Sequence, residues 1–155
     1  MLPVKKKKPD DMKILKILSS LIVAGILFIS CTIEPQAINY GHDACSFCQM
    51  TIVDNQHAAE LVTHKGKVYK FDSIECMMRD INKHGENNIA LYLINDYSNP
   101  GKLIDAKSAT YLISENLPSP MGANLTGFGN KKDAEIVQRE KDGDLYSWNE
   151  LKGKF

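Results

Sequence analysis

Features that would point to several large classes of protein are missing from this sequence of 155 residues. It has no basic excess, since 19 basic residues stand against 19 acidic ones, whereas nucleic-acid-binding proteins present a basic face. Its longest apolar run, residues 17–30, is shorter than the roughly 20 residues that cross a bilayer with ease. No motif that pairs a nucleophile with a base is apparent. We therefore expect neither nucleic-acid binding nor catalysis.

The N-terminal segment has the pattern of an export signal. The apolar run has the length of a signal-peptide core and ends in small residues. Its last residues, "LFISC", resemble the cleavage box of bacterial lipoproteins, in which Cys31 would become the first residue and carry lipid on its sulfur. An uncleaved membrane anchor and ordinary secretion with a free Cys31 are the alternatives. All three predict a folded part outside the cytoplasm. The lipoprotein interpretation predicts a location in the cell envelope, lipid-anchored to a bacterial membrane and facing the periplasm or the exterior. The positive region before the run consists of Lys5, Lys6, Lys7, Lys8, Lys13 and Lys16.

Removal of residues 1–30 changes the balance of charges and cysteines. Six of the 19 basic residues and two of the 19 acidic residues lie there, so 13 basic and 17 acidic residues remain. If Cys31 is lipidated, only Cys45, Cys48 and Cys76 are left as thiols. Disulfide-stapled exported domains usually have an even set of cysteines. Three cysteines therefore do not suit a set of structural disulfides, whereas they are a common number for a functional site.

The first half of the exported part has the pattern strand, strand, helix, strand. Residues 58–64 and 67–71 favour two strands about a tight turn at residues 65–66. A helix follows, capped by Asp72 or Ser73 with Glu75 as capping partner. Residues 89–94 then favour a buried strand. The helix carries one apolar stripe and should end near His84 and Gly85; the stripe consists of Ile74, Met77, Met78 and Ile81.

The second half repeats this order, which predicts an α+β fold of two tandem ββαβ units. Its segments are a strand at residues 109–114, a poorer strand at 123–129, a helix at 130–141 and a strand at 144–148. Residues 95–108 are rich in turn formers and are predicted to connect the two units. The whole chain then divides into a signal peptide at residues 1–30, a tether at 31–41, a first unit at 42–97 and a second unit at 98–155.

The segment "CSFCQM" admits several chemical interpretations. A redox-active dithiol usually opens a helix, which lowers the pKa of its first thiol. Here the residues after Met50, "TIVDNQ", begin with three β-branched residues and predict a strand. A zinc site needs four donors. Cys76 and one of the four histidines could complete one, but the sequence has no second pair of cysteines or histidines with the usual spacing. A structural disulfide between Cys45 and Cys48 is the simplest alternative. The spacing alone leaves these alternatives open.

A thioether nearby favours a softer metal. Met50 lies two residues after Cys48, and residues i and i+2 of an extended strand share a face. Thiolate and thioether ligands select Cu(I), whereas hard cations prefer oxygen. Met121 is the natural distant partner, because it lies in a loop bracketed by proline and glycine rather than on an apolar stripe.

Other residues are weaker candidates for ligands. Met77 and Met78 lie on the helix stripe and are expected in the core. Cys76, at the helix start, is expected to be a small buried residue. The four histidines show no pairing in the sequence, and solvent exposure is the simpler expectation for His42.

Three longer segments together resemble the NosL family of nitrous oxide reductase accessory lipoproteins. They are "YGHDACSFCQMTI", "AAELVTHKGKVYKFDSIECMMRDI" and "SPMGANLTGFGNKKDAEIVQREKDGDLYSWNEL". The ordered set of C-x-x-C-x-M, F-D-x-I-x-C and a late P-M-G loop is much more specific than C-x-x-C alone. One departure is Gln49, where the family commonly has glycine.

The resemblance implies a copper-binding lipoprotein whose two ββαβ units are similar in fold to organomercurial lyases. It implies delivery of Cu(I) to nitrous oxide reductase through that enzyme's membrane-bound maturation complex. Carried onto this chain, the implied ligands are Cys48, Met50 and Met121, with Cys45 a further candidate. Fold similarity does not transfer lyase activity. Two rival functions stay open: an exported thiol oxidoreductase that uses Cys45 and Cys48, and a non-metal adaptor with a structural disulfide.

Overall fold

The computed structural model describes residues 32–155. The predicted signal peptide and Cys31 lie outside the described residues. Within this part of the chain, no helix combines the length and the apolar character needed to cross a membrane. The elements, in chain order, are β1 (Ala59–Thr63), β2 (Val68–Phe71), α1 (Ile74–His84), β3 (Ile89–Asp96), β4 (Asn99–Asp105), β5 (Thr110–Ile113), β6 (Leu125–Phe128), α2 (Lys131–Lys141), β7 (Asp144–Ser147) and α3 (Trp148–Lys152).

The first sheet has four antiparallel strands in the order β2-β1-β3-β4. The central strand β1 is buried along its whole length. Leu61 of β1 pairs with Tyr69 of β2 on one side and with Tyr92 of β3 on the other. The β1–β2 turn closes at Gly66, whose N–H donates to the Thr63 carbonyl at 2.9 Å. Its φ of +75° lies in the left-handed region that glycine adopts without strain.

Helix α1 confirms the stripe predicted from its sequence. Its four apolar stripe residues are all buried, at most 4% exposed, because their spacing places them on the face toward the sheets. Ser73 caps the N-terminus, its side chain accepting from the Cys76 N–H at 3.2 Å. Gly85 ends the helix at φ +80°, with its N–H donating to the Ile81 carbonyl at 2.7 Å. The expected capping partner, Glu75, instead turns away from the cap toward Ser119.

The second sheet has three antiparallel strands in the order β6-β5-β7. Helix α2 follows β6 and is capped by Asn130, which accepts from the Lys132 N–H at 2.9 Å. The two halves share one hydrophobic core, in which Tyr111 of β5 and Trp148 of α3 lie with residues of β1, α1 and β3. The strand and helix order of each half confirms the predicted α+β class with ββαβ units.

The sheets meet where β6 passes β3 and α1, and Gly127 makes this approach close. A Cβ at Gly127 would lie 2.2 Å from Ile94 Cδ1 and 3.2 Å from Ile74 Cδ1. The carbonyl of Gly127 accepts from the Tyr97 N–H at 2.9 Å. A missing side chain thus lets the second sheet dock on the helix that carries Cys76.

Two segments differ from their predictions. Residues 95–108 were predicted as a connector, but β3 extends to Asp96 and β4 forms a fourth strand beside it. β4 lies at the sheet edge and is mostly exposed, which is where Pro100 is tolerated in a strand. The last strand was predicted to reach Trp148, but it ends at Ser147, which caps the short helix α3 in a capping box with Glu150.

Candidate metal centre

The segment that carries the first two cysteines is a tight loop, here called the cysteine loop (residues 43–52). Its ends are joined by a bridge between Ala44 and Thr51. Inside it, the Cys45 N–H donates to the Met50 carbonyl at 2.8 Å and the Gln49 N–H donates to the Cys45 carbonyl at 3.0 Å. Gln49 has φ +65°, in the left-handed region. The backbone therefore reverses direction between the two sulfur-bearing positions, Cys48 and Met50.

This geometry corrects the prediction that the motif leads into a strand. Thr51 makes only an isolated bridge, and no strand of the described chain begins before Ala59. Because the left-handed residue lies between Cys48 and Met50, their side chains do not share a face through strand alternation. Cys48 is half-buried, whereas Met50 is 55% exposed. Met50 thus stands at the rim of the loop, with its thioether open to solvent.

Strand β2 anchors the cysteine loop. Lys70 Nζ donates to Asp43 Oδ2 at 2.7 Å and to the Ala37 carbonyl at 2.6 Å. This ammonium group holds the pKa of the Asp43 carboxyl below its usual range, with help from the Asn39 N–H. The Ser46 N–H donates to the Lys70 carbonyl at 2.7 Å. One residue of β2 therefore fixes both the entry and the turn of the loop.

The cysteine loop brings two of its sulfurs to the start of α1. Cys45, Cys48, Asp72 and Cys76 each offer one ligand atom, and these atoms all lie within 4.8 Å of one another. Cys45 and Cys76 are fully buried, and Asp72 is 3% exposed. Among the described residues all three cysteines are free thiols. The structure thus gathers three sulfurs and one carboxylate from two distant segments.

Hydrogen bonds and burial give the three thiols of this cluster different pKa values. The Cys76 thiol donates to Cys45, and chiefly for this reason the pKa of Cys45 falls to about 6, although burial opposes the shift. Backbone N–H groups of Cys48, Asp72 and Phe47 also point at the Cys45 sulfur and favour its thiolate. The same bond to Cys45, together with burial, raises the pKa of Cys76. Burial raises the pKa of Cys48. At neutral pH the cluster therefore holds one thiolate, on Cys45.

The donor set fits a soft metal ion. Cys45 offers a thiolate, and Cys48 can be approached from solvent because it is only half-buried. Asp72 Oδ1 is buried with no hydrogen-bond partner in the described chain, which is costly unless a cation or a proton compensates it. Three sulfurs favour Cu(I) or zinc over hard cations such as magnesium or calcium.

Asp72 and Cys76 were not predicted from the sequence to belong to the metal site. Cys76 is the small buried residue that was predicted, and it also belongs to the cluster. Asp72 directly precedes Ser73, the N-cap residue of α1, and Cys76 is the third residue of the helix. Their nearness at the predicted helix start was the available signal. Its meaning depended on the cysteine loop folding against this helix, which the sequence alone does not state.

Met121 lies in the loop between β5 and β6, here called the methionine loop (residues 119–124). The side chain is half-buried and packs against the hydrophobic core that also contacts Cys48. The loop reaches helix α1 through Ser119, whose hydroxyl donates to Glu75, the residue before Cys76. The late loop and the early cysteines therefore converge on the same end of α1.

The histidines lie apart from the cluster, which contains none of those described. His42, His64 and His84 are exposed. His84 Nδ1 contacts Asp80 within α1 at 3.1 Å. His57 is buried between Asp54, at 3.0 Å, and Thr126 Oγ1, at 3.2 Å. Met77 and Met78 are fully buried in the core, as their stripe predicted.

A groove of about 660 Å³ borders the cysteine loop. Cys45, Ser46 and Gln49 line one side of it, and Asp80 and His84 of α1 line the other. The centre therefore lies beside open space rather than in a sealed core.

The chain is similar to one known protein family over most of its length. The NosL family model matches residues 36–155. The crystal structure of the copper chaperone NosL from Shewanella denitrificans is similar, with a TM-score of 0.67 and 26% sequence identity, covering 77% of this chain and 96% of that chain. The comparison with curated proteins gives no match.

Proposed function

This chain belongs to the NosL family, and from that premise we propose that it binds Cu(I) in the cell envelope. We propose further that it delivers the ion for assembly of the catalytic copper centre of nitrous oxide reductase. The observation that carries the proposal is the convergence of Cys45, Cys48 and Cys76 within 4.8 Å at the start of α1. The similar chain from Shewanella denitrificans is described as a copper chaperone.

The proposed ligands are Cys45, Cys48, Met50 and Met121. Cys45 supplies a thiolate at neutral pH, because its pKa is lowered to about 6. Met50, 55% exposed, can swing over the loop to meet an ion that arrives from solvent. Thioethers also suit an oxidising compartment, because they cannot be lost to disulfide formation. Cys76, which is fully buried, favours the Cys45 thiolate by its hydrogen bond.

Delivery of the ion requires a site that binds it tightly and is still open to an incoming ligand. Two of the proposed ligands, Cys48 and Met50, are accessible, while Cys45 is buried behind them. An incoming ligand from the recipient can therefore replace the outer sulfurs first and the inner thiolate last. Metal then passes by stepwise exchange without being released. The proposed recipient is nitrous oxide reductase with its membrane-bound maturation complex, approached by a chain anchored to the membrane through lipid on Cys31.

The test is a Cu(I) titration of the reduced chain in competition with a chromophoric chelator, with X-ray absorption to count sulfur donors. Cys48→Ser and Met121→Leu should each weaken binding by more than about tenfold, or about 1.4 kcal/mol. Affinity should fall from pH 8 to pH 6, because Cys48 must lose a proton to bind. Met78→Leu, a buried methionine on the α1 stripe, is the matched control and should leave affinity unchanged. Unchanged affinity in both ligand variants would refute the ligand assignment.

A thiol oxidoreductase is the second candidate, favoured by one observation. Cys45 is the first cysteine of a C-x-x-C pair, and its pKa is lowered to about 6, as in redox-active dithiols. Its full burial opposes this function, because a nucleophilic sulfur has to be reached by its substrate. A reversible Cys45–Cys48 couple whose reduction potential is the same with and without Met50 would favour the oxidoreductase. A Cys45–Cys48 disulfide that persists in the cell would favour the non-metal adaptor.

A further inference from the structure

Glu75 is an unusual residue for the first turn of a helix. Acidic residues there normally face solvent, where the helix dipole stabilises their charge. Glu75 is instead 0% exposed, and its Oε1 accepts from the hydroxyl of Ser119. Its Oε2 is buried without a partner in the described chain. Burying a carboxylate is costly, so the single contact that Glu75 makes calls for an explanation.

Ser119 uses its hydroxyl to fasten the methionine loop in two directions. The hydroxyl donates to Glu75 on α1 and accepts from the Leu125 N–H at 3.3 Å. Its carbonyl accepts from the Gly122 N–H at 3.0 Å, which closes the turn around Met121. Pro120 and Gly122 are exposed. The Ser119 side chain therefore attaches the loop to α1, while the Asn124 carbonyl at the other end of the loop accepts from the Ser114 N–H at 3.2 Å.

This attachment adjoins the sulfur cluster on its α1 side and the proposed ligand Met121 on its loop side. Glu75 directly precedes Cys76, which belongs to the sulfur cluster. Met121 follows Ser119 by two residues, and two residues span at most about 7 Å of chain. The Glu75–Ser119 contact thus fixes the distance between the helix turn that holds one sulfur and the loop that holds another.

We propose that Glu75 and Ser119 form a latch that positions Met121 for the metal ion before the ion arrives. The proposal rests on the proposed function, in which Met121 is a Cu(I) ligand. Neither latch residue touches the ion; both act by holding the methionine loop against α1. A buried hydrogen bond suits this role, because breaking it would leave two buried polar groups without partners. A preorganised thioether also avoids the ordering cost of a free loop at the moment of binding.

The test compares Ser119→Ala with Met121→Leu in a double-mutant cycle on the reduced full chain in detergent. Ser119→Ala should weaken Cu(I) binding by about tenfold and remove one sulfur from the X-ray absorption shell. In the Met121→Leu background the same change should have no further effect, because the residue it positions is gone. Glu75→Gln should keep most of the affinity, since an amide oxygen still accepts from Ser119, whereas Glu75→Ala should not.

Ser114→Ala is the matched control for lost stability. Ser114 is also buried, and its hydroxyl donates to the Lys141 carbonyl at 2.5 Å, on the α2 side of the second sheet. It should lower the unfolding temperature without changing Cu(I) affinity. Additive effects of Ser119→Ala and Met121→Leu would overturn the latch. Unchanged affinity in Ser119→Ala, with weakened affinity in Met121→Leu, would overturn it too.

A metal-free measurement separates the latch from the proposed function. With ¹³C-methyl-labelled methionine, the Met121 methyl group should be ordered in the apo chain and should gain motion in Ser119→Ala. If the parent chain fails to bind Cu(I), the proposed function fails, and this methyl signal alone decides whether the loop is latched. If the methyl order is the same in both chains, the latch is refuted whatever the copper titration shows.

Discussion

Gln49 illustrates at the scale of one residue how the cysteine loop stores strain. Its φ of +65° is left-handed, which costs a residue with a Cβ about 1–2 kcal/mol. Its side chain recovers part of this cost, since Nε2 donates to the Ser46 carbonyl at 3.1 Å. Residue 49 is the position at which the loop reverses, and glycine would adopt this φ without strain.

Two substitutions at Gln49 separate the backbone strain from the side-chain hydrogen bond. Both Gln49→Ala and Gln49→Gly remove the bond to Ser46, but only glycine also relieves the left-handed strain. We expect Gln49→Gly to be more stable than Gln49→Ala by about 1 kcal/mol. Urea unfolding of the reduced, metal-free chains measures the difference. Equal stability of the two variants would mean that residue 49 is not held in the left-handed region.

Single residues of the centre were only partly predictable from the sequence. Cys45 and Cys48 were recognised from their spacing, and the structure brings both into the cluster. Asp72 was read only as a helix cap and Cys76 only as core, because their roles depend on a contact between segments about 25 residues apart in the chain. Met50 and Met121 as ligands remain predictions. What sequence patterns lack is the direction of each side chain once the loop has turned.

At the scale of elements, Gly127 links the second sheet to the metal centre. Its strand, β6, follows the methionine loop directly and packs on α1, which carries Cys76. The place for a Cβ at Gly127 is filled by Ile94 Cδ1, at 2.2 Å. A larger residue here would push β6, and with it the methionine loop, away from α1.

Gly127→Ala should therefore destabilise the protein by about 1–3 kcal/mol through overpacking. Ile94→Val removes the very methyl group that collides and should alone cost about 0.5–1.5 kcal/mol. In the double variant the two costs should not add, because the new methyl fills the space left by the old one. Thermal unfolding of the four chains of the cycle measures the coupling. Strictly additive costs would show that Gly127 of β6 does not pack against Ile94 of β3.

The elements that the sequence predicted well are those with strong periodicity. The α1 stripe specified one buried face of the helix, and the β-type run of residues 58–64 and the alternation of residues 67–71 predicted β1 and β2. β4 was not predicted because Asn99, Pro100 and Gly101 are turn formers. An exposed edge strand also lacks the alternation of apolar and polar residues by which strands are recognised. Helix α3 was missed although Ser147 and Glu150 form a capping-box pattern, because five residues are too few for a helical period. Whether an edge strand or a short helix forms depends on its contacts with neighbouring elements more than on its own sequence.

At the scale of the whole molecule, the length of the tether limits the distance between Cys31 and the metal centre. Residues 31–41 were predicted as a tether, but the chain meets the first sheet early within it. The Gln36 N–H donates to Glu60 Oε1 at 3.0 Å, and Ile38 is 8% exposed in the core. Five residues from Cys31 to Gln36 span at most about 18 Å. If Cys31 carries lipid, the folded part is held close to the membrane surface.

The state of Cys31 therefore determines whether the chain could reach the proposed membrane-bound recipient along the membrane. Mass spectrometry of the chain purified from a bacterial membrane should find Cys31 as the first residue, with a lipid-sized mass on its sulfur. Cys31→Ser should abolish both the cleavage and the added mass, because serine lacks the thiol that is modified, whereas Cys48→Ser should retain both. An intact N-terminal segment on the parent chain would instead identify an uncleaved anchor. Cleavage without added mass would identify ordinary secretion, and the centre would then reach its partner by diffusion rather than along the membrane.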